Sequence, residues 1–160
     1  MSALFAQQQA LLQQQLHVLT RIESGLRYSL ERLPKALAPS DLDNAEVLER
    51  LASINDRYTK LQDQLSAALR HAAMIGERYR GFADVIDWAV RQDLIEQAEV
   101  WMELRALRNR LTHDYDLEAA SMPEVLQAIR EATEILAGVI LRLRSLGRRL
   151  GLLPANPPAP

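Results

Sequence analysis

The sequence contains no cysteine, little lysine and few aromatic residues. Without cysteine it has no disulfides and no thiolate ligands for a metal. Aromatic residues make up 5% of the 160 positions, too few for the aromatic cluster on which many RNA-binding modules stack bases. The basic residues are 17 arginines and 2 lysines, yet the net charge is −2. The chain therefore lacks the overall positive charge that is typical of proteins binding nucleic acid non-specifically. The arginine bias suits bidentate phosphate contacts, and a genome rich in G and C produces the same bias.

Glycine and long apolar runs are also scarce. Gly25 is the only glycine among the first 75 residues, and no run reaches the roughly 18 apolar residues of a membrane span. The first residues lack the basic and apolar regions of a secretory signal. We therefore expect a cytoplasmic protein that does not associate with membranes.

Apolar residues recur at steps of three and four along most of the chain, which is the period of one helix face. This pattern predicts an all-α fold, an up-and-down antiparallel helical bundle of about five helices. The predicted helices are Ala3 to Leu33, a long helix capped by Ser40, Phe82 to Val90, Glu96 to Thr112, and a last helix starting after Ser121.

We assign residues 1–152 to one helical domain and 153–160, with four prolines in eight residues, to a disordered tail. In the first helix, Leu4, Leu11 and Val18 lie off the main apolar stripe, and a dimer partner would bury this excess. On the second helix, Asn55 and Tyr58 interrupt an aliphatic face. We expect their polar groups to hydrogen-bond to each other or to backbone.

The segment from Trp101 to Tyr115 combines arginines, an amide, an imidazole and a phenol at the end of a helix. Val100, Leu104, Leu107 and Leu111 form its predicted buried stripe. At about 100° per residue, Asn109 and His113 point away from that stripe and share one face. An alternative is a solvent-exposed histidine that the helix dipole favours, with Arg110 and Asp114 as a surface ion pair.

Arg108 and His113 are five residues apart, so on one straight helix they point about 140° away from each other. They reach one phosphate if the helix ends between them, or if two copies of the segment face each other across a dimer axis. A site for RNA would then be composite.

The residues Arg108-Asn109-x-x-x-His113-x-Tyr115 resemble the Arg-x4-His-x-Tyr motif of the HEPN superfamily. Within that superfamily the chain looks like the HepT-like proteins that pair with minimal nucleotidyltransferases, also described as nucleotidyltransferase substrate-binding proteins. The resemblance covers about 57 to 115 and includes three further stretches: Arg57-Tyr-x-Lys60-Leu-Gln-Asp63, Asp93-Leu-Ile95 and Trp101-x-Glu-Leu-Arg105.

The resemblance implies a homodimeric helical bundle that acts as a toxin and cleaves RNA as a metal-independent endoribonuclease, without a cofactor. His113 would be the general base or acid at the ribose 2′-OH, Arg108 would stabilise the phosphorane charge, and Asn109 would position the phosphate. A cognate minimal nucleotidyltransferase would be the antitoxin and would add AMP to Tyr115. The chemistry is plausible, because histidine titrates near neutral pH and RNA supplies its own nucleophile.

Two other functions are compatible with the sequence. The chain is either a non-catalytic partner subunit that binds the nucleotidyltransferase, or a dimerisation module without catalysis. The intact motif on an outer helix face argues against the second of these.

Overall fold

The computed structural model describes residues 2–76, 81–113 and 121–155. The regular structure of this part of the chain is entirely helical, which confirms the predicted all-α class. The helices are α1 (Ala3–Glu31), α2 (Ala45–Gly76), α3 (Phe82–Arg91), α4 (Ala98–His113) and α5 (Met122–Arg149), and a 3-10 helix (Pro39–Asp43) lies between α1 and α2.

Helix α1 runs antiparallel to both α2 and α5. Cross-helix hydrogen bonds join the end of α1 to the early parts of α2 and α5, and residues closer to the middle of α1 to their late parts. The pairs are Arg50 with Arg32, His71 with Gln15, Arg130 with Leu30, and Arg144 with Thr20. The axes of the three long helices are therefore roughly aligned, with α1 running in the opposite direction to α2 and α5, as in a helical bundle.

Helix α2 lies at the centre of the bundle and contacts each of the other four helices. Its apolar residues at helical spacing are almost fully buried; they include Ile54, Tyr58, Leu61, Leu65 and Leu69. No helix in the described ranges is both long enough and apolar enough to cross a membrane. Because α2 contacts every other helix, side chains on its surface have well-defined positions, and the candidate site described below includes several of them.

The start of α2 differs from the prediction. Ser40 does not cap this helix, because residues 39–43 form the 3-10 helix instead. Asn44 performs this role, and its Oδ1 accepts a hydrogen bond of 2.9 Å from the amide of Glu46. Asparagine is as good an N-cap as serine, since its side-chain oxygen reaches the free amides of the first turn.

The chain after α5 packs onto the bundle as far as Pro154, which is half-buried. Gly151 has a positive φ of 65°, and the amide of Leu152 donates to Gly147 at 2.7 Å, which is a Schellman ending. Leu153, which we assigned to the tail, is buried, and its side chain lies where a Cβ on Gly147 would be. Gln9 Nε2 holds the turn by donating to the carbonyl of Gly151 at 2.7 Å. Residues 156–160 of the predicted tail lie outside the described residues.

The apolar side chains that lie off the α1 stripe are solvent-accessible in the single chain. Leu4 and Leu11 are 63% and 49% exposed, and Val18 is partly buried. Their position agrees with the predicted excess, and the homodimer stays a prediction.

Candidate functional site

Helix α4 is fastened to α2 by two buried or half-buried polar side chains. Tyr58 Oη donates to the carbonyl of Leu104, and Asn55 Nδ2 donates to the carbonyl of Leu111, both at 3.1 Å. Burial raises the pKa of Tyr58, which keeps its hydroxyl a donor. The last carbonyls of a helix lack intrahelical partners, so Asn55 satisfies one at the end of α4. The expectation that Asn55 and Tyr58 bond to backbone is confirmed.

The buried face of α4 is centred one residue from the predicted stripe. Trp101 is fully buried, and Leu104 and Leu111 are nearly so, whereas Val100 and Leu107 are only partly buried. The indole has the largest surface to bury and therefore turns the helix towards itself. The opposite face is open: Met102 is 57% exposed, and Arg105 and Asn109 are also exposed.

On the open side, Arg108 reaches across to α2 and forms a bidentate ion pair with Asp63. Its Nε lies 3.0 Å from Oδ1 of Asp63, and its Nη2 lies 2.8 Å from Oδ2. This fork-to-fork geometry fixes the plane of the guanidinium more firmly than a single contact would. The hydrogen bonds to Asp63 raise the pKa of Arg108 above its ordinary value, so this arginine stays charged.

The pair leaves part of the guanidinium for other acceptors. A guanidinium has five N–H groups, and Asp63 uses one on Nε and one on Nη2. Nη1 points towards Asn109 Oδ1 and Thr112 Oγ1, both at 3.4 Å, which is beyond the usual hydrogen-bond length. A closer acceptor, such as a phosphate oxygen, would form shorter bonds to Nη1.

These residues form one end of an open depression between α2, α3 and α4. Its volume is about 430 Å³, and we call it the α2–α4 groove. It is lined by Gln62, Asp63, Ser66, Ala67, Arg70, Phe82, Arg105, Arg108 and Asn109. The described lining contains three arginines and one aspartate, a formal charge of +2 that suits an anion.

The far end of the groove holds an arginine and an aromatic ring. The guanidinium of Arg70 lies over the ring of Phe82, 5.5 Å from its centroid. Phe82 is the first residue of α3 and is partly exposed. Gln62 lies deeper in the groove and is only 2% exposed, with its Nε2 3.4 Å from Ser66 Oγ.

The structure brings two of the four sequence-predicted site residues together. Arg108 and Asn109 both line the α2–α4 groove. His113 is the last residue of α4, and its side chain lies outside the described residues. Tyr115 and Asp114 also lie outside them, so their predicted roles stay predictions. Within the described ranges, no group of three His, Cys, Asp or Glu residues is placed to hold a metal ion.

Sequence reasoning missed four residues of the groove. Asp63 belonged to a stretch that resembled the HEPN superfamily, but nothing in its spacing linked it to Arg108, 45 residues away. Arg70, Phe82 and Arg105 come from three different helices. The spacing from Tyr58 does not point to Asp63 either, because five residues place the two side chains about 140° apart around α2.

Comparison with known proteins adds no relative to this chain. No protein-family model matches the sequence, and neither a curated protein nor a solved structure matches it. The function is therefore argued from the residues and geometry of the α2–α4 groove, together with the motif resemblance.

Proposed function

We propose that this chain is a metal-independent endoribonuclease of the HEPN type, a toxin that a nucleotidyltransferase antitoxin neutralises. The observation that carries the proposal is the net positive charge of the α2–α4 groove beside Arg108 and Asn109. Phosphate contacts supply most of the affinity of proteins for nucleic acid, and arginine forms them bidentately. The surrounding helices hold this groove through the bonds of Tyr58 and Asn55 to α4.

In the proposed reaction, the 2′-oxygen of a ribose attacks the adjacent phosphorus while the imidazole of His113 accepts the 2′-hydroxyl proton. The P–O5′ bond breaks, and the 5′-oxygen leaves with a proton from a second acid. In a homodimer, the protonated His113 of the second copy is chemically suited to be that acid. The products are a 2′,3′-cyclic phosphate and a 5′-hydroxyl, and no metal or protein nucleophile is required.

Arg108 and Asn109 act on the phosphate rather than on the proton. Nη1 of Arg108 donates to an equatorial phosphate oxygen, whose negative charge grows in the transition state. The Asn109 carboxamide donates to a second oxygen and sets the position of the phosphate. Asp63 does not touch the RNA in this mechanism; it orients Arg108 and is a positioning residue.

A second candidate function is a non-catalytic subunit that binds the nucleotidyltransferase. The observation that favours it is the Arg108–Asp63 pair, because a carboxylate already compensates the charge of this arginine. In this case the basic groove would bind an acidic surface of the partner, and Tyr115 would be an acceptor of AMP only.

Cleavage of purified RNA in EDTA by wild type and by His113→Ala separates the two functions. We expect cleavage by wild type with 2′,3′-cyclic phosphate ends, and a loss of about 10²- to 10⁴-fold in the variant, the usual contribution of a general acid or base. Thermal unfolding of both proteins controls for folding. If wild type does not cut RNA, the nuclease function is excluded. If the variant cuts as fast as wild type, the proposed HEPN mechanism with His113 as general base is excluded.

The proposed AMP acceptor is tested separately with Tyr115→Phe. With ATP and the nucleotidyltransferase, labelled AMP should attach to wild type and not to the variant, because phenylalanine has no hydroxyl. Cleavage by the unmodified variant should stay close to that of wild type. Label on the Phe variant would place the acceptor elsewhere.

A further inference from the structure

We propose that the substrate is single-stranded RNA and that Phe82, with Arg70, forms a base-stacking subsite of the α2–α4 groove. This inference rests on the proposed function for the nature of the ligand. It adds the strandedness of the RNA and a subsite that is separate from the residues at which phosphate is cleaved.

The Phe82–Arg70 end of the groove is built like a base-binding surface. Phe82 presents a partly exposed ring at the start of α3, and the exposed guanidinium of Arg70 lies over it. A nucleobase stacks on both kinds of group: on aromatic rings, and on guanidinium planes. The single ring and the arginine thus provide a stacking surface in a chain that has few aromatic residues.

The contact between Arg70 and Phe82 is loose, so a base that stacks on the ring has only a weak contact to displace. Its 5.5 Å separation lies close to the ~6 Å limit of a cation–π contact. The chain contains a tighter pair of the same kind, Arg32 over Tyr28 at 3.3 Å, which does not line the α2–α4 groove. In that pair the guanidinium lies in direct contact with one face of the ring, whereas the longer Arg70–Phe82 contact lets Arg70 move aside and stack on the other face of the base.

The distance along the groove matches a short length of RNA. Asp63, which holds Arg108, and Arg70 are seven residues apart on α2, or about 10 Å at 1.5 Å per residue. About three stacked nucleotides cover this length at roughly 3.4 Å each, and fewer cover it in an extended strand. A strand whose phosphate meets Arg108 therefore brings a base of a nearby nucleotide to Phe82. Arg105, exposed on α4 and lining the same groove, lies beside this path and suits an intervening phosphate.

The preference for single-stranded over double-stranded RNA follows from the stacking of a base on Phe82. In an RNA duplex the base faces are stacked on one another and cannot meet the ring of Phe82. A groove of about 430 Å³ also accepts a strand rather than the full width of a helix. Unpaired bases are available without the cost of unstacking.

The experiment measures binding rather than cleavage, so its result is independent of whether the protein is a nuclease. Fluorescence anisotropy with a labelled, non-cleavable 2′-O-methyl RNA strand compares wild type, Phe82→Leu and Phe82→Trp. We expect the leucine variant to bind roughly five- to a hundredfold more weakly, the range for loss of one stacked base, and the tryptophan variant to recover the affinity. Tyr28→Leu is the matched control, since it removes the other arginine–aromatic pair, and its affinity should equal that of wild type.

Two further arms vary the RNA, and the first of them needs only the wild-type protein. The same strand annealed to its complement should bind more weakly than the single strand. Abasic sites placed one at a time along the strand should weaken binding at one position, and at that position Phe82→Leu should cause no further loss. Equal affinity for single strand and duplex, or an unchanged affinity in Phe82→Leu, would overturn the proposal. Loss of nucleotidyltransferase binding in Phe82→Leu with unchanged RNA affinity would instead assign this end of the groove to a protein partner.

Discussion

Two grooves of similar size on this molecule differ in the charge that remains after their ion pairs are formed. The α1–α5 groove has a volume of about 400 Å³ and is lined by Arg27, Leu30, Glu31, Gln127, Arg130, Glu131, Thr133 and Glu134. Its described lining contains two arginines and three glutamates, a formal charge of −1. The α2–α4 groove, at about 430 Å³, contains three arginines and one aspartate.

Each groove contains an arginine that pairs with a carboxylate of another helix. In the α1–α5 groove, Arg27 binds Glu134 with two nitrogens and also contacts Glu23 at 2.8 Å, so it forms ion pairs with two carboxylates. These contacts raise the pKa of Arg27 and lower the pKa of Glu134. In the α2–α4 groove, Arg108 forms an ion pair with one carboxylate, that of Asp63, and Arg105 and Arg70 form no ion pair with the described residues. An interhelix ion pair is therefore common to both grooves, and the excess charge around the pair is what distinguishes them.

The largest expected effect is on cleavage by Arg108→Ala, matched with Arg27→Ala in the acidic groove. Removing Arg108 should lower kcat by about 10²- to 10³-fold, because a donor to the transition-state charge is lost. Removing Arg27 should leave kcat unchanged, and its exposed ion pairs contribute little to stability. Both rates are measured on the same RNA. An equal loss in the two variants would mean that the distinction between the grooves has no functional meaning.

A smaller effect is expected when the acid of each pair is neutralised, in Asp63→Asn and Glu134→Gln. Asp63→Asn removes the bidentate ion pair that orients Arg108. Because misplacement of a catalytic group lowers kcat by up to about a hundredfold, kcat should fall within that range. The affinity for RNA should not fall, because the groove becomes more positive. Glu134→Gln should change neither quantity.

The readout that distinguishes positioning from a general structural role is the split between kcat and KM. A structural role for Asp63 would raise KM and lower the melting temperature together with kcat. Asp63→Glu, which keeps the charge, should recover part of kcat. A variant in which KM rises and kcat is unchanged would contradict the assignment of Asp63 as a positioning residue.

The smallest effect concerns a contact that belongs to neither groove, between His71 of α2 and Gln15 of α1. Nδ1 of His71 lies 2.9 Å from Oε1 of Gln15, and burial lowers the pKa of His71 below its ordinary value of 6.5. The unfolded chain therefore takes up a proton at a higher pH than the folded chain. Stability should fall as the pH decreases below about 6.5, and the fall should stop below the folded pKa.

Denaturant unfolding of wild type and His71→Gln over this pH range measures the effect. The slope attributable to His71 is bounded by that of one proton, ~1.4 kcal/mol per pH unit. It should be absent in His71→Gln and retained in the control His17→Gln, whose histidine is exposed on α1. A slope that persists in His71→Gln would have to come from other groups, including the acids of the two grooves.

The helices were predictable because helix formation depends on contacts three and four residues away. The predicted limits of the third helix, Phe82 to Val90, differ from α3 by one residue, and the orientation of Asn109 towards solvent is also correct. Errors occurred where two local solutions compete, as at Ser40 and Asn44, both of which are good caps. The burial of Leu153 was missed because it depends on the space that Gly147 leaves in the last turn of α5, onto which the chain folds back.

In the candidate site, too, the local features were predictable from the sequence and the contacts between helices were not. The sequence singled out Arg108 and Asn109 because they lie within one helical segment, and it could identify local ion pairs such as Lys60 with Asp56, four residues apart at 2.8 Å. It could not select Asp63 as the acid that Arg108 meets. That choice depends on how α4 lies across α2, which Trp101, Tyr58 and Asn55 decide by packing and by hydrogen bonds to the α4 backbone.

The all-α class, the approximate positions of the helices and the exposure of Asn109 on α4 follow from periodicity and propensity within one helix, so they can be read from the sequence. Tertiary packing sets which arginines share a groove, which of them are paired with an acid, and that Phe82 of α3 lies at the end of a surface begun by α2 and α4. Net charge at a surface is a sum over residues far apart in the chain, and only packing determines which residues enter that sum.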